Sequence, residues 1–155
     1  MPSHAFFEWL NDSPWANAMN GPEWAFPVVE SLHFIGFALL IGTIVIVDLR
    51  LLGFGMRRQK PAELAADLNR WTLSGLALML ITGPLMFSAD AVRYHVNPSF
   101  QLKMNVLLAA LVFYFAIHRR MVRRELTPLA AKAIAVVSLA LWVTVIGAGR
   151  MIAFV

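Results

Sequence analysis

Four long apolar segments, separated by short polar connections, restrict the fold of this chain more than any other feature. They cover about residues 27–52, 71–89, 100–118 and 133–149. Each is close to the ~20 residues that an α-helix needs to cross the hydrocarbon core of a bilayer. Because lipid offers no hydrogen-bond partner to the backbone, segments of this length must cross as helices. The sequence therefore predicts an all-α, integral membrane four-helix bundle.

The composition agrees with a lipid environment. Hydrophobic residues make up 59% of the 155 residues and charged residues only 14%, against roughly 25% charged in soluble domains. Four crossings use nearly the whole chain, so we expect one transmembrane domain over residues 1–155. The net charge is +4, but the basic residues cluster beside the apolar segments, which argues against a nucleic-acid partner. The absence of cysteine excludes disulfides and thiolate metal sites.

The basic residues also predict the orientation of the helices. All of them except Arg93, Lys103 and Arg150 lie in or beside the connections that follow the first and third segments. Connections rich in Lys and Arg remain in the cytoplasm. We therefore expect both termini, and the loop between the second and third segments, on the extracytoplasmic side.

Residues 1–25 are predicted to form an amphipathic segment that lies in the membrane interface without crossing it. Aromatic residues alternate there with polar ones, as interfacial segments require. Ser13–Pro14 is typical of a helix start, and Asn20–Gly21–Pro22 of a stop and restart.

His33 is the sharpest candidate for chemistry, because ionisable groups inside a membrane are expensive and usually functional. It lies about nine residues below Trp24, on the order of 13 Å into the bilayer. Gly36 follows one turn later and would leave a groove for a flat macrocycle. Neutral imidazole is a good ligand for haem iron. The structural alternative is a histidine that holds two helices together by a hydrogen bond.

Three further residues on the outer side complete the candidate cofactor site. Lys103 and Arg150 would hold haem propionates or another anion if they turn inward, or would snorkel to the headgroups if they do not. His95, in the outer loop, would either fold down as a second metal ligand beside His33 or stay solvated. No catalytic residue is assigned.

Two ionisable residues near the inner boundary are expected to be structural. Asp48 is predicted to form an ion pair with Arg50 that anchors the first helix. His118 is predicted to lie at the inner interface beside Arg119 and Arg120, since no second histidine shares its depth.

Several short motifs resemble those of a group of small bacterial four-helix membrane proteins. This group includes the membrane part of copper-resistance protein D, the HemJ-type protoporphyrinogen oxidases and a family of domains of unknown function. The resemblance extends from about Glu30 to His118. The motifs are Ser31-Leu32-His33-Phe34-Ile35-Gly36, Asp48-Leu49-Arg50-Leu51-Leu52-Gly53, Arg70-Trp71, Thr82-Gly83, Leu85-Met86-Phe87, Asn97-Pro98-Ser99-Phe100 and Lys103-Met104.

The resemblance implies a multi-pass haem b protein of the bacterial inner membrane, and the distribution of basic residues predicts that both termini are periplasmic. In HemJ-type proteins a first-helix histidine and a third-helix lysine matter for function, and His33 and Lys103 match these positions. HemJ-type sequences also have a tryptophan and a Leu-Pro-Arg stretch near the histidine. This chain has Ala38-Leu39-Leu40 and Val47-Asp48-Leu49-Arg50 instead, so a haem-dependent redox role is implied without that particular oxidation.

The leading hypothesis is a b-type haem protein that transfers electrons near the extracytoplasmic face, with a quinone or a redox protein as partner. The second axial ligand would be His95, Met86, Met104 or the His33 of a second copy in a homo-oligomer. An open iron position would instead favour a haem-dependent oxidoreductase. Two alternatives stay open: a copper-handling module that uses His33 with the two methionines, and a cofactor-free accessory or assembly subunit of a membrane complex.

Overall fold

Four membrane-length helices dominate the structure, a computed structural model that describes residues 2–55, 58–124 and 126–154, apart from the side chains of 2–4 and 153. All regular structure within these residues is helical. Among them, the helices long and apolar enough to cross a membrane are Ala25–Leu51, Pro61–Ala89, Pro98–Val122 and Pro128–Met151. The predicted all-α, four-helix membrane architecture is confirmed. Arg57, one of the basic residues of the first connection, lies outside the described residues.

The helices are numbered α1 to α8 along the chain. They are α1 (Pro2–Asn11), α2 (Pro14–Asn20), α3 (Ala25–Leu51), α4 (Pro61–Ala89), α5 (Ala91–Val96), α6 (Pro98–Phe113), α7 (Arg119–Val122) and α8 (Pro128–Met151). A π-helical turn, Tyr114–His118, joins α6 to α7 within the third span, and a 3-10 turn, Ile152–Phe154, follows α8.

Side-chain caps set the starts of two helices, and the one at Ser13 is where the sequence predicts a helix start. The hydroxyl of Ser13 accepts a hydrogen bond from the backbone N–H of Ala16 at 3.3 Å. The side-chain oxygen of Asn97 accepts one from the N–H of Phe100 at 3.0 Å. A proline follows each cap in the first turn, where its missing N–H costs nothing. These caps satisfy amide groups that have no partner inside their helices.

Hydropathy alone predicts that the second span begins at residue 71. In the structure it begins at Pro61. Residues 61–70 alternate between one buried apolar face, which includes Leu64, and exposed residues such as Asp67 and Arg70. Their mean hydropathy is therefore low, although they are good helix formers. The other three spans also extend beyond the predicted 27–52, 100–118 and 133–149 at one end or both.

The four spans form two closely packed pairs. α3 packs most extensively against α4, and α6 against α8, while α3 also contacts α8. Successive spans are antiparallel, because Asn20 reaches the carbonyl of Ala89 and Asn97 reaches the carbonyl of Ile152. Both chain ends and α5 therefore lie at one end of the bundle, called the terminal end. The two connections rich in basic residues lie at the other, called the basic end.

Glycine allows the unusually close approach of α3 to α4. A Cβ placed on Gly75 would lie 2.6 Å from both the carbonyl oxygen of Gly36 and the backbone nitrogen of Leu40. No side chain fits at such a distance, so the two backbones touch here, as small residues permit in membrane bundles. Towards the basic end, Leu40, Ile44 and Met79 continue the contact as part of the buried core.

The N-terminal helices cover the terminal end of the bundle. α1 packs against α5, and α2 packs against α4, with the amide of Asn20 donating to Ala89 at 2.9 Å. Trp9, Trp15 and Trp24 are exposed. Large exposed aromatic side chains suit the predicted position at the membrane interface, which stays a prediction.

Candidate functional site

His33 is held on α3 by a hydrogen bond to α4. Its Nδ1 lies 2.8 Å from the hydroxyl oxygen of Thr82, and this hydroxyl also lies 2.7 Å from the carbonyl oxygen of Leu78. The carbonyl can only accept, so the single hydroxyl proton of Thr82 is donated to it. Nδ1 of His33 must then be the donor to Thr82. The proton sits on Nδ1, and Nε2 keeps its lone pair.

Lys103 comes to the same region from α6. Its side chain is half-buried, and its Cδ, Cε and Nζ lie 3.7–3.8 Å from the position that a Cβ would take on Gly149 of α8. The ammonium is close enough to the imidazole of His33 for an electrostatic interaction. The structure therefore brings together His33 and Lys103, two of the residues predicted for the site. Lys103 packs its stem against α8 inside the bundle.

Gly36 does not leave an open groove beside His33. A Cβ on Gly36 would lie 3.0 Å from the carbonyl oxygen of Gly75 and 3.1 Å from Cβ of Leu78. The space that a macrocycle would use on this face is filled by α4. The glycine near the imidazole is Gly83, where a Cβ would lie 3.6 Å from Cε1 of His33.

His95 belongs to an aromatic cluster at the terminal end. Its ring packs on Phe7 of α1 at 4.2 Å between centroids, and its carbonyl oxygen accepts a hydrogen bond from the side chain of Gln101. Phe87, Phe100 and Tyr94 stack close by, with centroids 5.2–6.3 Å apart. None of these contacts involves His33 or Lys103. Ligation by His95 stays a prediction.

Tyr94 is the phenol of this cluster, and its surroundings raise its pKa. Partial burial raises the pKa of Tyr94, and the carboxylate of Asp90 raises it further, because both disfavour the phenolate. The guanidinium of Arg93 acts in the opposite direction as a weaker influence.

The remaining predicted ligands are Arg150, Met86 and Met104. Arg150 is exposed, and its guanidinium lies over the ring of Phe154 at 5.9 Å. Met104 is exposed and Met86 is half-buried. In the described part of the chain no three His, Cys, Asp or Glu side chains come together as a metal-binding group. The anion-binding role of Arg150 stays a prediction.

A second polar site lies near the basic end, and the sequence interpretation missed it. Nε2 of His118 lies 2.6 Å from Oδ1 of Asp48, and the two residues are 2% and 0% exposed. The predicted Asp48–Arg50 ion pair is wrong: Arg50 donates instead to the carbonyl oxygen of Gln59. The interfacial position predicted for His118 is also wrong. The π-helical turn inserts one extra residue per turn at Tyr114–His118, a local change that is frequent at functional sites.

Hydroxyl groups surround this buried pair. The ring of Tyr114 stacks on the imidazole of His118 at 5.5 Å between centroids, and its hydroxyl approaches Thr72. Thr72 in turn lies 2.8 Å from the hydroxyl of Thr43. From α8, Ser138 approaches the carboxyl group of Asp48, whose Oδ2 makes no hydrogen bond with a described residue.

A small cavity of about 20 Å³ lies beside the pair. It is lined by Thr43, Ile44, Val47, Ala65, Leu68, Asn69, Thr72, Tyr114, His118, Arg119, Val122 and Arg123. This volume holds about one water molecule, and the polar lining supplies it with hydrogen-bond partners.

The sequence did contain a signal for this second site. Asp48 and His118 are both near the basic ends of their spans, so they share a depth in the bilayer. At the level of sequence, the depth of His118 was compared only with that of the other histidines. The carboxylates were not considered, and so the pairing with Asp48 was missed. Intramembrane acid and base groups at one depth usually pair.

Comparison with known proteins gives a family for the chain. The model of the Family of unknown function (DUF6644) matches residues 6–155. The chain belongs to this family. The match covers all four spans, including both polar sites of this DUF6644 protein. No curated protein and no solved structure matches it.

Proposed function

We propose that this DUF6644 protein binds haem b and transfers electrons near the extracytoplasmic face of the bacterial inner membrane, with His33 as an axial ligand. The observation that carries the proposal is the hydrogen bond between His33 and Thr82, from which the tautomer of His33 is assigned. A histidine that binds a metal normally donates its other ring N–H to an oxygen, which fixes the ring and increases its basicity. The Nδ1 donation to Thr82 meets this requirement and leaves Nε2 as the ligand atom.

The neighbours of His33 fit the same role. Gly83 on α4 and Gly149 on α8 leave their sides of the imidazole and of Lys103 free of side chains. Lys103 supplies a cation for a haem propionate, through a charge-assisted hydrogen bond. The haem would supply one-electron exchange between its ferric and ferrous states. The motifs that resemble those of the copper-resistance protein D and HemJ-type group, with His33 and Lys103 at corresponding positions, add further support.

The proposed sidedness rests on the basic residues. If the basic end faces the cytoplasm, the terminal end with both termini, His33 and Lys103 faces the periplasm. Electrons would then be exchanged with a quinone in the membrane or with a periplasmic redox protein. A second copy of the chain would provide the second axial ligand if the His33 side chains of two copies met.

The test is the absorbance spectrum of the protein, purified in mild detergent from haem-supplemented cells, reduced minus oxidised. We expect a Soret band and a sharp α-band that are lost in His33→Ala. His95→Ala tests the other histidine predicted as a ligand at the same end of the bundle. Full loss of the bands in His95→Ala as well would make that residue the second ligand.

Two outcomes would contradict the proposal. Retention of the full haem content by His33→Ala would exclude His33 as the ligand. A folded wild-type protein without a Soret band would exclude haem binding. Metal analysis of that sample would then separate the copper-handling alternative from a cofactor-free subunit, which would co-purify with a larger complex.

A further inference from the structure

The buried Asp48–His118 pair has no part in the proposed haem site. An apolar layer that includes Leu40 and Met79 separates it from His33 and Lys103. Burying a carboxylate and an imidazole this deeply carries a large desolvation penalty unless the two groups interact with each other. Their 2.6 Å contact between Oδ1 and Nε2 is as short as charge-assisted hydrogen bonds become.

The imidazole of His118 has one nitrogen left for exchange. Nε2 is engaged by Asp48, whereas Nδ1 makes no hydrogen bond with a described residue. The ring forms part of the wall of the cavity, and Asn69, Arg119 and Arg123 line the same cavity near the basic end. One water in this cavity would connect the imidazole with the solution at that end.

We propose that Asp48 and His118 form a proton-binding site that exchanges with the solution at the basic end of the bundle. A hydronium ion delivers its proton through the cavity water to Nδ1 of His118, and a neutral water molecule remains. The imidazole becomes an imidazolium that donates from Nε2 to the Asp48 carboxylate. The pair changes from a net charge of −1 to 0, which is the cheaper state in a medium of low dielectric constant.

Groups from every adjoining element face this site. They are Asp48 and Thr43 from α3, Asn69 and Thr72 from α4, Tyr114 from the π-helical turn, Arg119 from α7 with Arg123 after it, and Ser138 from α8. The cations among them are the two arginines, which oppose a further positive charge on the imidazole. Asp48 is the anion that compensates it, so the carboxylate decides whether His118 binds a proton.

In the part of the chain that the structure describes, the hydroxyl groups beside the pair end at the apolar layer and do not continue across the bundle. The line of hydroxyl groups runs from Tyr114 through Thr72 to Thr43. Thr43 itself bonds to the carbonyl oxygens of its own helix, and the apolar layer follows. The site therefore loads and releases protons from one side, without a described polar path across the bundle.

The decisive test follows the protonation of His118 by nitrogen-15 NMR of histidine-labelled protein in nanodiscs. His118→Gln assigns the signal by its loss. On lowering the pH we expect Nδ1 of His118 to become protonated in the wild type, and this change to be lost in Asp48→Asn. Asp48→Glu keeps the carboxyl group and should restore it. Asp67→Asn is the matched control, because it makes the same change at an exposed carboxylate of α4 and should leave the titration intact.

Two results would overturn the proposal. One is a His118 signal that stays in a single protonation state over the whole pH range in which the wild type remains folded. The other is an Asp48→Asn protein that is folded, as judged by circular dichroism, and titrates like the wild type. Haem content does not enter this readout, so failure here is distinct from failure of the haem proposal.

The route of the proton is tested by filling the cavity. Ala65 lines it, whereas the next residue, Ala66, is exposed. After a rapid drop in pH, infrared difference spectroscopy would follow protonation at the site. Ala65→Leu should slow this step relative to both the wild type and Ala66→Leu. Equal rates in the two leucine variants would exclude the cavity as the entry path.

Discussion

The contact between Gly36 and Gly75 leads to the strongest stability prediction. In Gly75→Ala the new Cβ would lie 2.6 Å from the carbonyl oxygen of Gly36 and from the backbone nitrogen of Leu40. Both are backbone atoms, which cannot rotate away as a side chain can. The contact is about 0.8 Å short of the 3.4 Å at which ordinary van der Waals contact begins. Helices α3 and α4 must therefore separate by nearly that amount at this point.

The separation has an energetic and a functional consequence. Overpacking of this kind costs typically about 1–3 kcal/mol, more than the roughly 1 kcal/mol that alanine gains over glycine in a helix. The hydrogen bond of His33 to Thr82, now 2.8 Å, joins the same two helices, about one turn from Gly36 on α3 and about two turns from Gly75 on α4. A separation of about 0.8 Å would extend it beyond hydrogen-bond distance. We expect Gly75→Ala to lose stability and haem together.

Thermal unfolding in detergent and the haem-to-protein ratio measure the two effects. Gly42→Ala and Gly147→Ala are the controls, since a Cβ at either position meets nothing within 4 Å. Both should be as stable as the wild type or slightly more stable. The argument fails if Gly75→Ala unfolds at the same temperature as the two controls.

Three further predictions concern single side chains. Thr82→Val removes the acceptor for the axial imidazole and should weaken haem binding about 10–100-fold by titration, whereas Thr144→Val, an exposed threonine with the same bond to its own helix, should not. Lys103→Met removes a cation that favours the ferrous state, so the midpoint potential in spectroelectrochemistry should fall, while exposed Lys132→Met leaves it unchanged. Burial and a nearby carboxylate raise the pKa of Tyr94 above its ordinary value of 10.0. The contribution of the Tyr94 phenol to stability is therefore complete below pH 10.0 and is lost as the pH rises through the raised pKa. In alkaline unfolding, Tyr94→Phe should lose less stability than the wild type above pH 10.0.

Much of the fold follows from hydropathy and helix length. In lipid, a segment of this length can satisfy its backbone hydrogen bonds only as a helix, so the number, type and order of the spans could be predicted. The start of α4 could not, because residues 61–70 are amphipathic and continue the helix outside the apolar stretch. The cap at Ser13 was predictable because its chemistry is local.

The candidate site was less predictable, because it depends on which face of each span turns inward. α3 is apolar all round, so its sequence does not show that Gly36 faces Gly75 or that His33 faces Thr82. The π-helical turn is also invisible in the hydropathy pattern. It shifts the face presented after Tyr114, and with it the direction of His118.

Each polar site joins the two helix pairs of the bundle. His33 and Asp48 belong to the α3–α4 pair, whereas Lys103 and His118 belong to the third span, which packs on α8. A tilt of one pair against the other would change the charge beside His33 and the hydrogen bond at Asp48 in a single movement. Both polar sites therefore lie on the same seam of the bundle, where the α3–α4 pair meets the third span and α8.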